Sequence, residues 1–216
     1  MLFRSQKDGV VRIIQRPSNT VNATPFINVS DRVFNDGERG LLGMAFDPYY
    51  STNGYFYLHF VAIESRYALP PDAIGDTVVA RYRVSAENPD VSDVSSETVL
   101  FKLNQPFENH NGGMISFRPG DFPSYLYLAL GDGGSGYDPN HNGQNLTVPL
   151  AKILRMDVSA GTAAAPPSNP FADGPGGFED LTWVYGLRNP WRFSLDRKST
   201  RLNSSHIQKS RMPSSA

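Results

Sequence analysis

The chain has 216 residues, with 20 basic and 21 acidic side chains for a formal net charge of −1, 19 glycines, 17 prolines and no cysteine. Without cysteine there are no disulfides and no thiolate metal sites. No apolar run approaches the length of a membrane span, and no basic stripe or basic helix offers a surface to nucleic acid or to an anionic membrane.

Taken in chain order, short apolar runs predict strands at 10–14 (VVRII), 41–46, 54–61 (GYFYLHFV), 77–84 (TVVARYRV), 97–103, 113–118, 125–130, 151–158 and 182–186. Gly, Pro, Asn and Asp punctuate the intervals, and no segment holds a 3.6-residue apolar stripe, so helix is expected to be scarce. Many short strands at regular spacing argue for an all-β fold, whether sandwich, barrel or propeller; apolar hairpins alternating with Gly-Asp loops favour the propeller. Residues 159–180 are rich in Pro, Gly and Ala and read as a long surface loop.

The run at 113–118 and the run at 125–130 flank Pro119-Gly120-Asp121-Phe122-Pro123, a turn sequence. Folding this hairpin antiparallel about Asp121 sets His110, in Asn109-His110-Asn111-Gly112-Gly113, opposite Asp132 or its neighbour in Gly131-Asp132-Gly133-Gly134. A carboxylate on one imidazole nitrogen fixes the tautomer and raises the basicity of the other, which suits a general base. The flanking glycines leave room for a flat ligand to approach the backbone. The alternative at this point is a turn histidine capped by a nearby carboxylate.

Three further motifs bear on that choice. The strand at 182–186 runs into Gly186-Leu187-Arg188-Asn189-Pro190, where the proline forbids another ladder bond and puts Arg188 and Asn189 on a loop. Earlier lies Glu38-Arg39-Gly40-Leu41-Leu42-Gly43-Met44-Ala45-Phe46-Asp47-Pro48. Between them, Gly143-Gln144-Asn145-Leu146 precedes Lys152-Ile153-Leu154-Arg155-Met156-Asp157. With the His110 and Asp132 segments, these motifs resemble the glucose/sorbosone dehydrogenase family from about Asp8 to Leu195. That family comprises the soluble pyrroloquinoline quinone (PQQ)-dependent aldose dehydrogenases, whose propeller the hedgehog-interacting proteins share.

The resemblance implies the N-terminal part of a six-bladed β-propeller, truncated, from a PQQ-dependent enzyme that oxidises an aldose at C1 to the lactone. It makes His110 the base, Asp132 its orienting partner, Arg188 a stabiliser of charge on the reduced quinone, and Asn189 and Glu38 neighbours of the cofactor. Asn109 stands where the soluble glucose enzymes carry an acidic residue near the sugar. Calcium accompanies PQQ in the family, with ligands chiefly beyond Leu195, so no metal ligand is named here. An external electron acceptor and a periplasmic or extracellular location follow from the same resemblance. Two non-enzymatic alternatives remain: a binding propeller of hedgehog-interacting type, which the lack of cysteine disfavours, and a sugar-binding sensor.

Both ends depart from the family pattern. Leu2-Phe3-Arg4-Ser5 and the Ser-, Lys- and Arg-rich stretch from Asp196 to Ala216 read as translated sequencing-adapter frames, leaving residues 6–195 as the partial propeller. Setting aside Asp196 and the six basic residues of these ends leaves 14 basic and 20 acidic residues, a net of −6. The stretch 196–216 is expected to be disordered, and the chain alone to be inactive. Weaker signals recede: the Gly131–Gly136 run lacks the Lys-Ser/Thr of a phosphate loop, and Asp132, Asp138 and Asn140 lack the closing Glu of an EF-hand. His59 reads as a strand residue, packed or surface-facing, and His141 as exposed.

Overall fold

The computed structural model describes residues 1–63, 67, 75–172 and 177–195, and the backbone of 202–203. The fold is nearly all β and forms part of a β-propeller. Strands β1 (Leu2–Ser5), β2 (Val10–Ile14) and β3 (Ile27–Asn28) make a three-stranded sheet in the order β1-β2-β3. Two four-stranded antiparallel meanders follow. The first is β4 (Leu41–Phe46), β5 (Tyr55–Ala62), β6 (Asp76–Val84) and β7 (Ser92–Leu103). The second is β8 (Ile115–Phe117), β9 (Leu126–Leu130), β10 (Lys152–Met156) and β11 (Thr182–Tyr185). The described helices are single turns, α1 (Tyr50–Asn53) and α2 (Phe178–Leu181).

All nine expected strands are present, and β7 begins five residues before the expected start at 97. Its first half, Ser-Asp-Val-Ser-Ser, has little apolar content and owes its extension to pairing with β6, as in Val84↔Ser92 and Arg83↔Asp93. β3 is too short to stand out in the sequence. Residues 2–5, set aside on sequence grounds, do take part in the fold: β1 pairs antiparallel with β2 over Leu2↔Ile14 to Ser5↔Val11. The ring of Phe3 packs edge-on to Phe26 and Phe46 at 4.9 and 4.6 Å. A ladder is made by the main chain, so an alternating Leu-Phe-Arg-Ser segment beside a strand can join it whatever its origin. At the other end the expected disorder of 196–216 falls outside the described residues, save that β12 (Ser194–Leu195) pairs with β13 (Leu202–Asn203).

The period-2 alternation of β5 links the layers. Phe56, Leu58, Phe60 and Ala62 point to a core shared with Val11, Ile13, Phe26 and Ile27, while Tyr57 points the other way. There it joins Val79 and Phe101 against Leu126, Leu128, Leu130, Leu154 and Met156 of the second meander. The far face of that meander, Tyr127, Ala129 and Ile153, is covered by Leu187 and Phe193. Strands β5, β9 and β10 are therefore buried on both faces; β9 reads as a continuous apolar run, while β5 carries His59 and β10 carries Lys152 and Arg155 inside the core. Where β4 meets the segment leading into β8, a Cβ on Gly43 would lie 2.7 Å from the Gly113 carbonyl oxygen, so the close approach requires glycine.

Candidate active site

The hairpin β8–β9 pairs Ile115↔Leu128, Ser116↔Tyr127 and Phe117↔Leu126, a register centred between residues 121 and 122. Carried toward the open end, it brings the loop before β8 against the loop after β9. His110 Nδ1 lies 2.7 Å from Asp132 Oδ1. The approach is possible because residue 131 is glycine: a Cβ there would sit 2.0 Å from the His110 carbonyl oxygen.

Asp132 is fixed on every side. Its Oδ1 also accepts the Gly134 N–H at 3.0 Å, and its Oδ2 accepts from the Arg188 guanidinium at 3.1 Å. Its own N–H donates to the Arg188 carbonyl at 2.7 Å, and its carbonyl accepts from Asn142 Nδ2 at 2.8 Å. The carboxylate is about 1% exposed, the His110 ring 12% and the Arg188 side chain 38%. A buried acceptor-only carboxylate on Nδ1 assigns the ring proton to that nitrogen and leaves the Nε2 lone pair for chemistry.

Glu38 and Asn189 tie the three loops together. Glu38 Oε2 accepts the backbone N–H of His110 at 2.6 Å and the amide of Asn189 at 3.2 Å. Asn189 Oδ1 in turn accepts the Gly112 N–H at 3.1 Å. His110 has a left-handed backbone, φ 58°, a conformation costing on the order of 1 kcal/mol or more that the surroundings must hold. The short bond from its N–H to Glu38 does so. Asn109 faces the loop after Asp132, its Oδ1 accepting the Ser135 N–H at 2.9 Å.

Five of the six residues singled out from the sequence, His110, Asp132, Arg188, Glu38 and Asn189, thus lie in one connected hydrogen-bond network. Asn109, the sixth, anchors the adjoining Gly134–Ser135 turn. The sequence reading missed Asn142. Its only signal was a place in Asn140-His141-Asn142-Gly143, a run whose composition speaks of turns. Asp138 closes that turn, accepting from Asn142 N at 2.9 Å and Gly143 N at 2.8 Å, while His141 is exposed. Asp138 is therefore a turn former, and among the described residues no three His, Cys, Asp or Glu side chains gather as metal ligands.

Sequence and structure comparisons bear on this geometry. The family model described as glucose/sorbosone dehydrogenase matches residues 1–208, running through both β1 and part of the C-terminal stretch set aside on composition. The chain is 31% identical over 215 residues to the HIPL1 protein of Arabidopsis thaliana, covering 81% of this chain and 30% of that protein. It is 30% identical over 212 residues to the Hedgehog-interacting protein of Mus musculus, covering 94% and 29%. Among solved structures it is similar to a glucose dehydrogenase at a TM-score of 0.71 and 25% identity, over 93% of this chain and 52% of that one. It is similar also to the PQQ-bound form of an aldose sugar dehydrogenase from Streptomyces coelicolor, at a TM-score of 0.66 and 26% identity over 92% and 50%. The chain spans under a third of those curated relatives and about half of those solved structures. Among its described residues no helix is long and apolar enough to cross a membrane.

Proposed function

The chain belongs to the glucose/sorbosone dehydrogenase family, and on that premise we propose that its His110–Asp132–Arg188 network is the proton-abstracting part of a quinoprotein site that oxidises an aldose at C1. The observation that carries the reading is the 2.7 Å contact between His110 Nδ1 and a carboxylate that is itself buried and fully engaged. A ring held in one tautomer and one orientation is what a general base needs, and such a base contributes about 10²–10⁴-fold.

The donor set fits PQQ, a planar anionic quinone, in one respect and is already committed in another. Arg188 has a partly exposed guanidinium that uses one nitrogen on Asp132, which suits it to oxygen atoms that gain negative charge. Glu38 and Asn189 engage each other and the His110 loop, so their part is to fix the base and the floor beside it. When bound, the quinone supplies the two-electron acceptor for the hydride from C1. His110 Nε2 takes the proton of the C1 hydroxyl, the C1–O bond becomes a carbonyl as the C1–H pair departs, and Asp132 faces the imidazolium formed. Calcium takes carbonyl as well as carboxylate oxygens, and no residue of this chain is assigned to it here. Asn109, with its oxygen on Ser135 and its amide nitrogen remaining, is the polar group we assign to the sugar side. The external electron acceptor and a periplasmic or extracellular setting belong to the same proposal.

A second reading has its own support: the curated relatives at 30–31% identity are hedgehog-interacting and HIPL proteins. On that reading the propeller is a binding scaffold and the network merely holds three loops. The two separate on one variant. In a complete propeller carrying this chain, His110→Ala should lower dye-linked aldose oxidation with added PQQ and Ca²⁺ by at least about 100-fold while PQQ affinity stays within about tenfold. A parent protein that binds no PQQ, or a variant as active as the parent, overturns the enzyme reading.

A further inference from the structure

Lys152 opens β10 opposite Leu130 in the ladder, and its whole side chain is buried. Its ammonium donates to the carbonyls of Asn145 at 2.7 Å, Leu150 at 2.7 Å and Asn142 at 3.3 Å. An ammonium has three N–H donors, and three carbonyls meet them. Burying such a charge is unfavourable even after relaxation, so an apolar residue of the same length would fill the space more readily. The amine keeps its proton at neutral pH: burial draws its pKa down to about 8, with Asp138 pulling the other way.

What the ammonium gathers is the loop from Gly131 to Ala151, which carries non-glycine residues with left-handed backbones at Ser135, Tyr137, Asp138, His141 and Ala151. Such a loop does not hold its shape by local preference. Lys152 grips the Asn142 carbonyl, and Asn142 Nδ2 grips the Asp132 carbonyl at 2.8 Å. Asp132 in turn holds His110. We propose that Lys152 is a positioning residue of this site, its ammonium fixing Asn142 and, through it, the Asp132 carboxylate that orients His110. The functional meaning of this link rests on His110 acting as the base, but the link itself can be read without quinone or sugar.

The test uses the full 216-residue chain labelled with ¹⁵N-histidine at pH 7, with the His110 ring signals assigned by their loss in His110→Gln. The wild-type ring should show a single Nδ1-protonated tautomer with a slowly exchanging Nδ1 proton. In Lys152→Met that proton should exchange at least about tenfold faster, the measure of a local opening. The ring of His59, which lies on β5 of the first meander and bonds the Gly113 carbonyl, should be unchanged and so report an intact fold. Asn142→Ala should do the same as Lys152→Met, and the double variant should add nothing, since both cut one chain of contacts. Should Lys152→Met not fold, Asn142→Ala combined with rescue of slow exchange by Lys152→Arg decides in its place. Unchanged His110 exchange in a folded Lys152→Met protein, or additive effects in the double variant, overturns the proposal. If the ring behaves as expected yet the complete propeller oxidises no aldose, the enzyme reading falls and the positioning role stands.

Discussion

Arg188 meets Asp132 twice, through a guanidinium nitrogen at 3.1 Å and through its own carbonyl, which accepts the Asp132 N–H at 2.7 Å. The backbone contact would survive any substitution, so the side chain can be tested separately from the loop it sits on. A guanidinium offers two parallel donors to a carboxylate or quinone oxygen, whereas an ammonium offers one compact charge. Arg188→Lys should therefore reduce PQQ affinity or turnover by about tenfold or more, roughly 1.4 kcal/mol, as measured by cofactor titration and steady-state oxidation in the complete propeller. Wild-type constants in that variant would assign Arg188 to holding Asp132 through its backbone alone.

Among the elements, β5 shows how one strand serves two layers and carries a titratable group besides. His59 is fully buried, its Nδ1 2.7 Å from the Gly113 carbonyl oxygen. Burial lowers its pKa from 6.5 to about 4, a fall that the Gly113 bond opposes and Arg192 reinforces. The folded chain thus keeps His59 neutral where the unfolded chain takes up a proton. Its contribution to stability is whole above pH 6.5 and is lost as pH falls toward 4, on the order of 3 kcal/mol. Urea unfolding of wild type and His59→Gln at pH 7, 5.5 and 4.5 should give a shallower acid loss in the variant; equal slopes would place the acid sensitivity elsewhere. The strand itself is legible because a run buried on both faces is apolar at every position but His59, and the hairpin about Asp121 is legible because its turn residues are explicit. The sequence does not separate packed from exposed for His59, since its burial comes from the Gly113 loop, 54 residues away. Asn142 stayed hidden for a similar reason: a turn-forming asparagine looks the same whether its amide meets water or the Asp132 carbonyl. The roles attached to Arg188 and Asn189 came from the family resemblance, and only the structure shows the Asn189 amide already spanning Glu38 and Gly112.

At the scale of the molecule, the two meanders share a core, with Tyr57, Val79 and Phe101 of one packed against Leu126, Leu128 and Leu154 of the other. Leu128 is fully buried in that seam. Leu128→Ala should destabilise the chain by about 2–5 kcal/mol, with fluorescence and hydrogen exchange in both meanders shifting together. Loss confined to the second meander would show two independently stable units. The bond from Asn189 to Glu38 joins residues 151 apart in sequence, and this long closure sets an order of events during synthesis. At roughly 5–20 residues per second, Glu38 leaves the ribosome some 8–30 seconds before the residue that completes its bonding. Early in that interval the first meander can fold, and once Asp132 is made the His110 loop waits with one of its three anchors missing. A nascent chain arrested after Asp132 and before Asn189 would carry a sound first meander and a histidine with its neighbouring carboxylate, yet no finished site.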